Sequence, residues 1–304
     1  MTPERIAARL FTPGKGLLGI DEHLDRLSTG MDGAAEFEAP AQRAMLLETP
    51  ELDQWISGVL VAPEGLTQCH GVASAGIAVG VRLDAYRAEH ALRDLVQLGA
   101  NFVKWRADLD PFSTAGPAAY VDTDLLAQRA AASLEAGLLP MLDIAMPNQC
   151  SHSHAVAMAV TGNAIRALDL ALAAASVPAS QVVIRMNFVR PGRWHDDPAD
   201  PDVVARTTLK LLREHVPPTI AGVMFMSTGL ENDDACASLR AVSSQAAEAG
   251  LRLPITFAFG RALVAPATLA WTSHDDGGTD AGQAALSASC RAAAQALHPA
   301  ATVG

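Results

Sequence analysis

The chain has 304 residues, half of them apolar and 18% charged, with a formal net charge of −11 at neutral pH. That length can bury a sizeable core, and an α/β barrel occupies about 250 residues as one domain. The acidic balance argues against nucleic acid or an anionic membrane as partner, but leaves room for an anionic substrate in a local cationic pocket.

The opening stretch MTPERIAARLFTPGKGLL lacks the apolar core of a signal peptide. No run of about 18 apolar residues is present to span a bilayer. Eight short apolar runs follow in order: Leu17–Asp21, Ile56–Val61, Ala78–Leu83, Phe102–Arg106, Leu139–Ile144, Val182–Asn187, Ala221–Met226 and Pro254–Ala258. Helical patterns separate them, the longest being Asp124–Ala136, Ala155–Ala175, Val203–His215 and Asp233–Ala249. Strand–helix alternation calls for a parallel sheet, and eight units predict closure into a (β/α)8 TIM barrel, an α/β fold, as a single domain over 1–304. The competing doubly wound sheet would carry a GxGxxG turn after its first strand, and none is present. The polar break Pro191–Pro201 (PGRWHDDPADP) follows a strand, which in a barrel places it on the catalytic face. The segment Asp275–Gly282 reads as flexible and precedes a last Ala-rich helix. Four cysteines, Cys69, Cys150, Cys236 and Cys290, form no CxxC pair and read as reduced thiols of a cytoplasmic protein.

Residues at i, i+2 and i+4 of a strand share one face. Lys104 therefore shares a face with Arg106, Arg82 with Asp84, and Arg185 with Val183 and Asn187; Asp143 lies on the face opposite Ile144. Asp21 ends the first run, Ser227 follows the seventh, and Arg261 lies just past the eighth. An ionised group inside a barrel is costly unless paired or used. At least five strands carry one near the carboxyl end, where barrel active sites lie. Structural ion pairs closing the barrel mouth would give the same pattern for any single residue. Taken together the charges favour a site for a phosphorylated or carboxylated sugar.

Several segments are similar to the class I fructose-bisphosphate aldolases. PGKGLLGIDE resembles that family's first strand, FVKWRAD its fourth, PPTIAGVMFMSTG its seventh and LPITFAFGRALVAPATLAW its eighth. The likeness runs in order over roughly residues 10–272. It implies that Asp21 and Lys104 belong to a catalytic centre. It also implies that Ser227, Gly229 and Arg261 bind a substrate phosphate and that Arg106 lines a second phosphate side. A hydroxyl, backbone N–H groups beside glycine and an arginine fork suit a phosphate. Thr228 departs from the family's glycine-rich stretch.

Other departures are larger. The family's Schiff-base lysine stands at the end of the sixth strand, where this chain reads VVIRMNFVRPG and carries Arg185. A guanidinium stays protonated and cannot supply the neutral amine that attacks a carbonyl. The family's Glu-Pro-Glu on strand five becomes Asp143-Ile144-Ala145, Arg82 replaces another lysine, Phe259 replaces a tyrosine, and no tyrosine follows Tyr120. Ordinary fructose-bisphosphate cleavage is not the expected reaction.

Three lysines exist, Lys15, Lys104 and Lys210, against nineteen arginines. Only Lys104 falls on a predicted strand, so a Schiff base, if formed, falls to it. Asp143 or Asp21 would then be the acid/base, while Arg185 would hold a phosphate, carboxylate or oxyanion and Arg82 and Asp84 would line the substrate. Two alternatives stay open: a non-covalent isomerase, eliminase or hydrolase, and a non-catalytic phosphosugar binder. No cofactor and no metal are expected, although Cys150, His152 and His154 offer three donors after strand five. There Ser153 reads equally well as the N-cap of the next helix. His23 is a candidate proton carrier or a plain loop histidine. The resemblance further implies a phosphorylated small-molecule substrate and a homo-oligomer.

Overall fold

The computed structural model describes residues 1–21, 39–83, 92–112, 121–197, 199–273 and 278–298. Asp84, His23 and Tyr120 lie outside the described residues. Eight parallel strands are hydrogen-bonded in chain order: β1 (Gly16–Ile20), β2 (Ile56–Val61), β3 (Ala78–Arg82), β4 (Phe102–Asp108), β5 (Leu139–Ala145), β6 (Val183–Asn187), β7 (Gly222–Met226) and β8 (Ile255–Phe259). Pairing of β1 with β8 closes the barrel, as the strand–helix alternation predicts.

The helices described are α1 (Pro3–Leu10), α2 (Ala39–Leu47), α3 (His70–Ser74), α4 (Leu92–Gln97), α5 (Thr123–Glu135), α6 (His154–Ala174), α7 (Pro201–His215), α8 (Asn232–Glu248), α9 (Arg261–Thr272) and α10 (Thr279–Ala296). Each strand is covered on both faces, which explains why the strands read as continuous apolar runs. Val59, Val61, Val79, Val81, Val103, Trp105, Ile144 and Phe225 point outward into the layer shared with the helices. Leu17, Leu60, Phe102, Leu139, Met141, Val183 and Met224 point inward and fill the barrel. At that layer Gly80 is required by space, since a Cβ there would come within 2.0 Å of the Phe102 ring.

Helix α1, absent from the sequence prediction, stoppers the amino-terminal end of the barrel. Ile6, Ala7 and Leu10 pack on the inner residues, and Ser57 Oγ donates to the Leu10 carbonyl (2.7 Å). The barrel is thus filled from below, and its charged residues are confined to the carboxyl ends of the strands. Two strands run past their predicted ends: β4 extends to Asp108 and β5 to Ala145, paired with each other throughout. Helix α6 is long and apolar enough by composition to cross a membrane, but half of it is buried within this fold, as befits a helix packed on a barrel. Ser153 does cap α6, its side chain accepting from Val156 N (3.3 Å).

Candidate active site

Above the apolar layer, the next inward side chains are charged. Lys104 and Asp21 are each 2% exposed, Asp143 is fully buried and Arg185 is 7% exposed. Lys104 Nζ is hydrogen-bonded to Asp21 Oδ2, reaching across from β4 to the end of β1. The same ammonium lies 3.5 Å from Asp143 Oδ2, which accepts a hydrogen bond from Arg185 Nη1 at 2.7 Å. Arg185 Nη2 donates to the Ala258 carbonyl on β8 at 3.3 Å. Two carboxylates and two cations therefore alternate in a chain, Asp21–Lys104–Asp143–Arg185, drawn from four strands.

Local structure holds this chain in place. Trp105, pointing away from Lys104, donates from Nε1 to Ser133 Oγ (3.0 Å) and lies under the Arg129 guanidinium at 4.9 Å, which pins β4 against α5. The register sets Asp143 beside Arg185 on neighbouring strands. Asn187, one inward position further on, accepts from Met146 N (2.8 Å) and donates to Met146 O (3.1 Å), tying the ends of β5 and β6 together. Arg82 donates to the Asp21 backbone carbonyl, so β3 contributes to the same ring.

The electrostatics follow from this packing. Burial pushes the Asp21 carboxyl up, but the Lys104 ammonium, the Arg185 guanidinium, the hydrogen bond from Lys104 and then Arg82 outweigh it. The net shift is downward, and Asp21 is an anion near neutral pH. Asp143 Oδ1 and Arg185 Nε are buried without a hydrogen-bond partner. A carboxylate oxygen left open in such a place is an acceptor awaiting a donor.

The remaining predicted residues lie on the rim. Ser227 is buried in the β7–α8 turn, and Gly229 in that turn has φ +77°. A Cβ on Gly229 would stand 2.0 Å from Asn148 Nδ2. Arg261 opens α9 directly after β8. The seventh and eighth connections thus bring Ser227, Gly229 and Arg261 to the barrel end where phosphate seats form beside a helix N-terminus. Arg106 is 42% exposed and tied to Asp108, Nη2 to Oδ1 at 2.7 Å. It stands outside the buried chain, although its backbone register pairs with Asp143. Sequence reading missed the clamp made by Asn187; its inward phase beside Arg185 was the available signal.

Arg185 departs from its expected use. Instead of presenting a free fork to a ligand, it commits Nη1 to Asp143 and Nη2 to a backbone carbonyl. Cys150 and His152 are buried, yet among the described residues no three His, Cys, Asp or Glu side chains are arranged to hold a metal. All four cysteines are free and buried. Burial raises the Cys69 and Cys236 thiols to about 11 each, which leaves them poor nucleophiles.

A parallel eightfold barrel with a buried lysine between two aspartates at its carboxyl end defines a class of small-molecule enzyme folds. Within it, the family model described as fructose-bisphosphate aldolase class-I matches residues 83–301, and the chain belongs to that family. A probable fructose-bisphosphate aldolase class 1 of Xylella fastidiosa (strain 9a5c) is 28% identical, over 89% of this chain and 90% of that protein. Fructose-bisphosphate aldolase 2 of Caenorhabditis elegans is 28% identical, over 90% of this chain and 82% of its own. Among solved structures, fructose-bisphosphate aldolase from Plasmodium falciparum, in complex with TRAP and a small-molecule inhibitor, superposes with a TM-score of 0.85. That match covers 97% of this chain and 93% of the other at 21% identity, a likeness of fold.

Proposed function

We propose that this chain is an aldolase-type carbon–carbon lyase or transferase for a phosphorylated sugar or related carbonyl metabolite, with Lys104 as its Schiff-base amine. The observation that carries the reading is the placement of Lys104, buried at the carboxyl end of the barrel between Asp21 and Asp143, with arginine at the family's lysine position. Asp21 or Asp143 would take a proton from the Lys104 ammonium, and the freed Nζ would add to the substrate carbonyl carbon. The carbonyl oxygen would leave as water, with the carboxyl returning a proton. A carboxylate would next remove the proton of the β-hydroxyl. The carbon–carbon bond would break with its electron pair entering the iminium as an enamine, and the hydroxyl-bearing half would leave as an aldehyde. Protonation of the enamine and attack of water would release the second product and restore Lys104.

Arg185 would serve as the fixed hydrogen-bond partner that orients Asp143. Ser227, Gly229 and Arg261 would hold a substrate phosphate, Arg106 and Arg82 a second anionic group, and Asp84 a substrate hydroxyl. In this reading ordinary fructose-bisphosphate cleavage is not the reaction, because Arg185 stands at the family's Schiff-base position, Ala145 replaces one acid of strand five and no tyrosine follows Tyr120. A cytoplasmic homo-oligomer without cofactor, nucleic-acid partner or membrane partner completes the proposal.

A non-covalent isomerase, eliminase or hydrolase has one observation in its favour: Lys104 Nζ is already engaged by the Asp21 carboxylate, which is held as an anion. Borohydride trapping decides between them. With a ketose phosphate or keto acid that turns over, a reduced adduct on Lys104 is expected by mass spectrometry. Turnover with no adduct sinks the covalent mechanism, and phosphate binding with no turnover of any carbonyl substrate leaves the binder.

A further inference from the structure

Outside the lysine–carboxylate chain, the β5–α6 and β6–α7 connections are laced together. Gly192 N donates to His152 O (2.9 Å), Arg193 N to Asn148 O (2.8 Å) and Trp194 N to Cys150 O (3.0 Å). Glycine at 192 permits this approach, since a Cβ there would lie 2.0 Å from the Cys150 carbonyl oxygen. The laced loops enclose buried nitrogens that have no hydrogen-bond partner: His152 Nδ1, His154 Nε2 and Arg190 Nη1.

His152, His154 and Arg190 interact electrostatically with one another. Burial pushes the His154 ring down first, and the Arg190 and His195 charges push the same way against Asp197. His152, 3% exposed, is lowered mainly by burial, against a hydrogen bond to the Arg190 backbone, and also feels the His195, Arg190 and His154 charges. Burial likewise lowers Arg190, opposed by Asp234 in the first turn of α8. The cluster stands at the amino terminus of the 21-residue helix α6, whose dipole adds positive potential. Buried polar nitrogens without partners are costly, and those beside an arginine at a helix amino terminus mark a place that suits an anion. The arginine also argues against reading the two histidines as metal ligands, because it repels the cation they would share.

We propose that Arg190 and His154, with His152 as the floor, form a seat for the phosphate group of a small molecule. This seat lies on the rim between strands five and six and shares no residue with the set Ser227, Gly229 and Arg261, although Gly229 packs on Asn148 of the same β5–α6 connection. Arg190 Nη1 supplies a charged donor, and His154 Nε2 becomes a second when the ring takes up a proton with the bound anion; the tetrahedral oxygens of a phosphate can meet donors from several directions where a planar carboxylate cannot. The seat does not rest on the Lys104 mechanism, and it is read out without turnover.

Histidine side-chain NMR of the intact protein tests it, with inorganic phosphate as the probe. Arg261→Gln empties the other phosphate turn, and His154→Gln assigns the resonance. In Arg261→Gln protein, phosphate is expected to shift the His154 signal and raise its titration midpoint. Adding Arg190→Gln should weaken that response about tenfold or more, the worth of a charge-assisted hydrogen bond. If Arg190→Gln does not fold, Arg190→Lys replaces it, and loss of the fork should still weaken phosphate several-fold. A His154 signal that ignores phosphate, an arginine variant that titrates like its parent, or a response to zinc but not to phosphate overturns the proposal.

Discussion

Removing the strand-six cation offers the sharpest test of how the buried charges depend on one another. In Arg185→Met, Asp143 loses the guanidinium at 2.7 Å and keeps only the Lys104 ammonium at 3.5 Å. Asp143 is fully buried, so water cannot replace the lost partner. Breaking a buried pair by deleting one member costs about 3–5 kcal/mol, and the remaining lysine puts this case at about 3 kcal/mol. In a chain of this size that lowers the melting temperature by about 5 °C. The double variant Asp143→Asn/Arg185→Met, which leaves neither charge stranded, should recover about 1–3 kcal/mol relative to the sum of the single changes. Thermal unfolding by circular dichroism at neutral pH, run on all four proteins, measures both quantities. A melting point within about 2 °C of the parent, or strictly additive single changes, would refute the counterion role of Arg185.

Asp21→Asn should reveal a pH-linked stability. The Asp21 carboxyl is held below its ordinary value, so its contribution is present above about pH 4, the unfolded value, and is lost as pH falls through the lower folded value. Urea unfolding of parent and variant should therefore differ most near neutrality and converge in acid; a gap that persists undiminished in strong acid contradicts the assignment. Gly229→Ala forces a side chain onto φ +77° and into Asn148. It should cost about 1–3 kcal/mol by urea unfolding and weaken inorganic phosphate binding, and a neutral result on both would remove Gly229 from the seat. Ser153→Ala deletes the α6 cap and should cost about 1 kcal/mol, read by the same unfolding measurement.

The parts of the structure legible in the sequence are those governed by local period. Alternation along each apolar run assigned Lys104, Asp143 and Arg185 to the inner face, and the eight runs fall on the eight strands within a residue or two at most ends. Helix α1 was not legible, because Ile6, Ala7 and Leu10 read as an ordinary amphipathic pattern until a barrel exists for them to stopper. Pairing was not legible either. Which cation meets which carboxylate depends on barrel closure and side-chain reach: Lys104 crosses from β4 to Asp21 at the end of β1, while Arg106, in register with Asp143, turns instead to Asp108 on its own strand.

That distinction bears directly on the lysine-to-arginine exchange at strand six. Read along the chain, Arg185 is a lost nucleophile. Placed in the barrel, the guanidinium occupies two fixed acceptors, one of them the carboxylate nearest Lys104 after Asp21. A lysine at 185 would have one compact ammonium with which to reach both Asp143 and the Ala258 carbonyl; the arginine fork reaches both at once. The exchange therefore removes an amine from strand six and fixes Asp143 beside the amine on strand four. In the proposed reading its chemical meaning depends on that second amine, and borohydride trapping at Lys104 is what tests it.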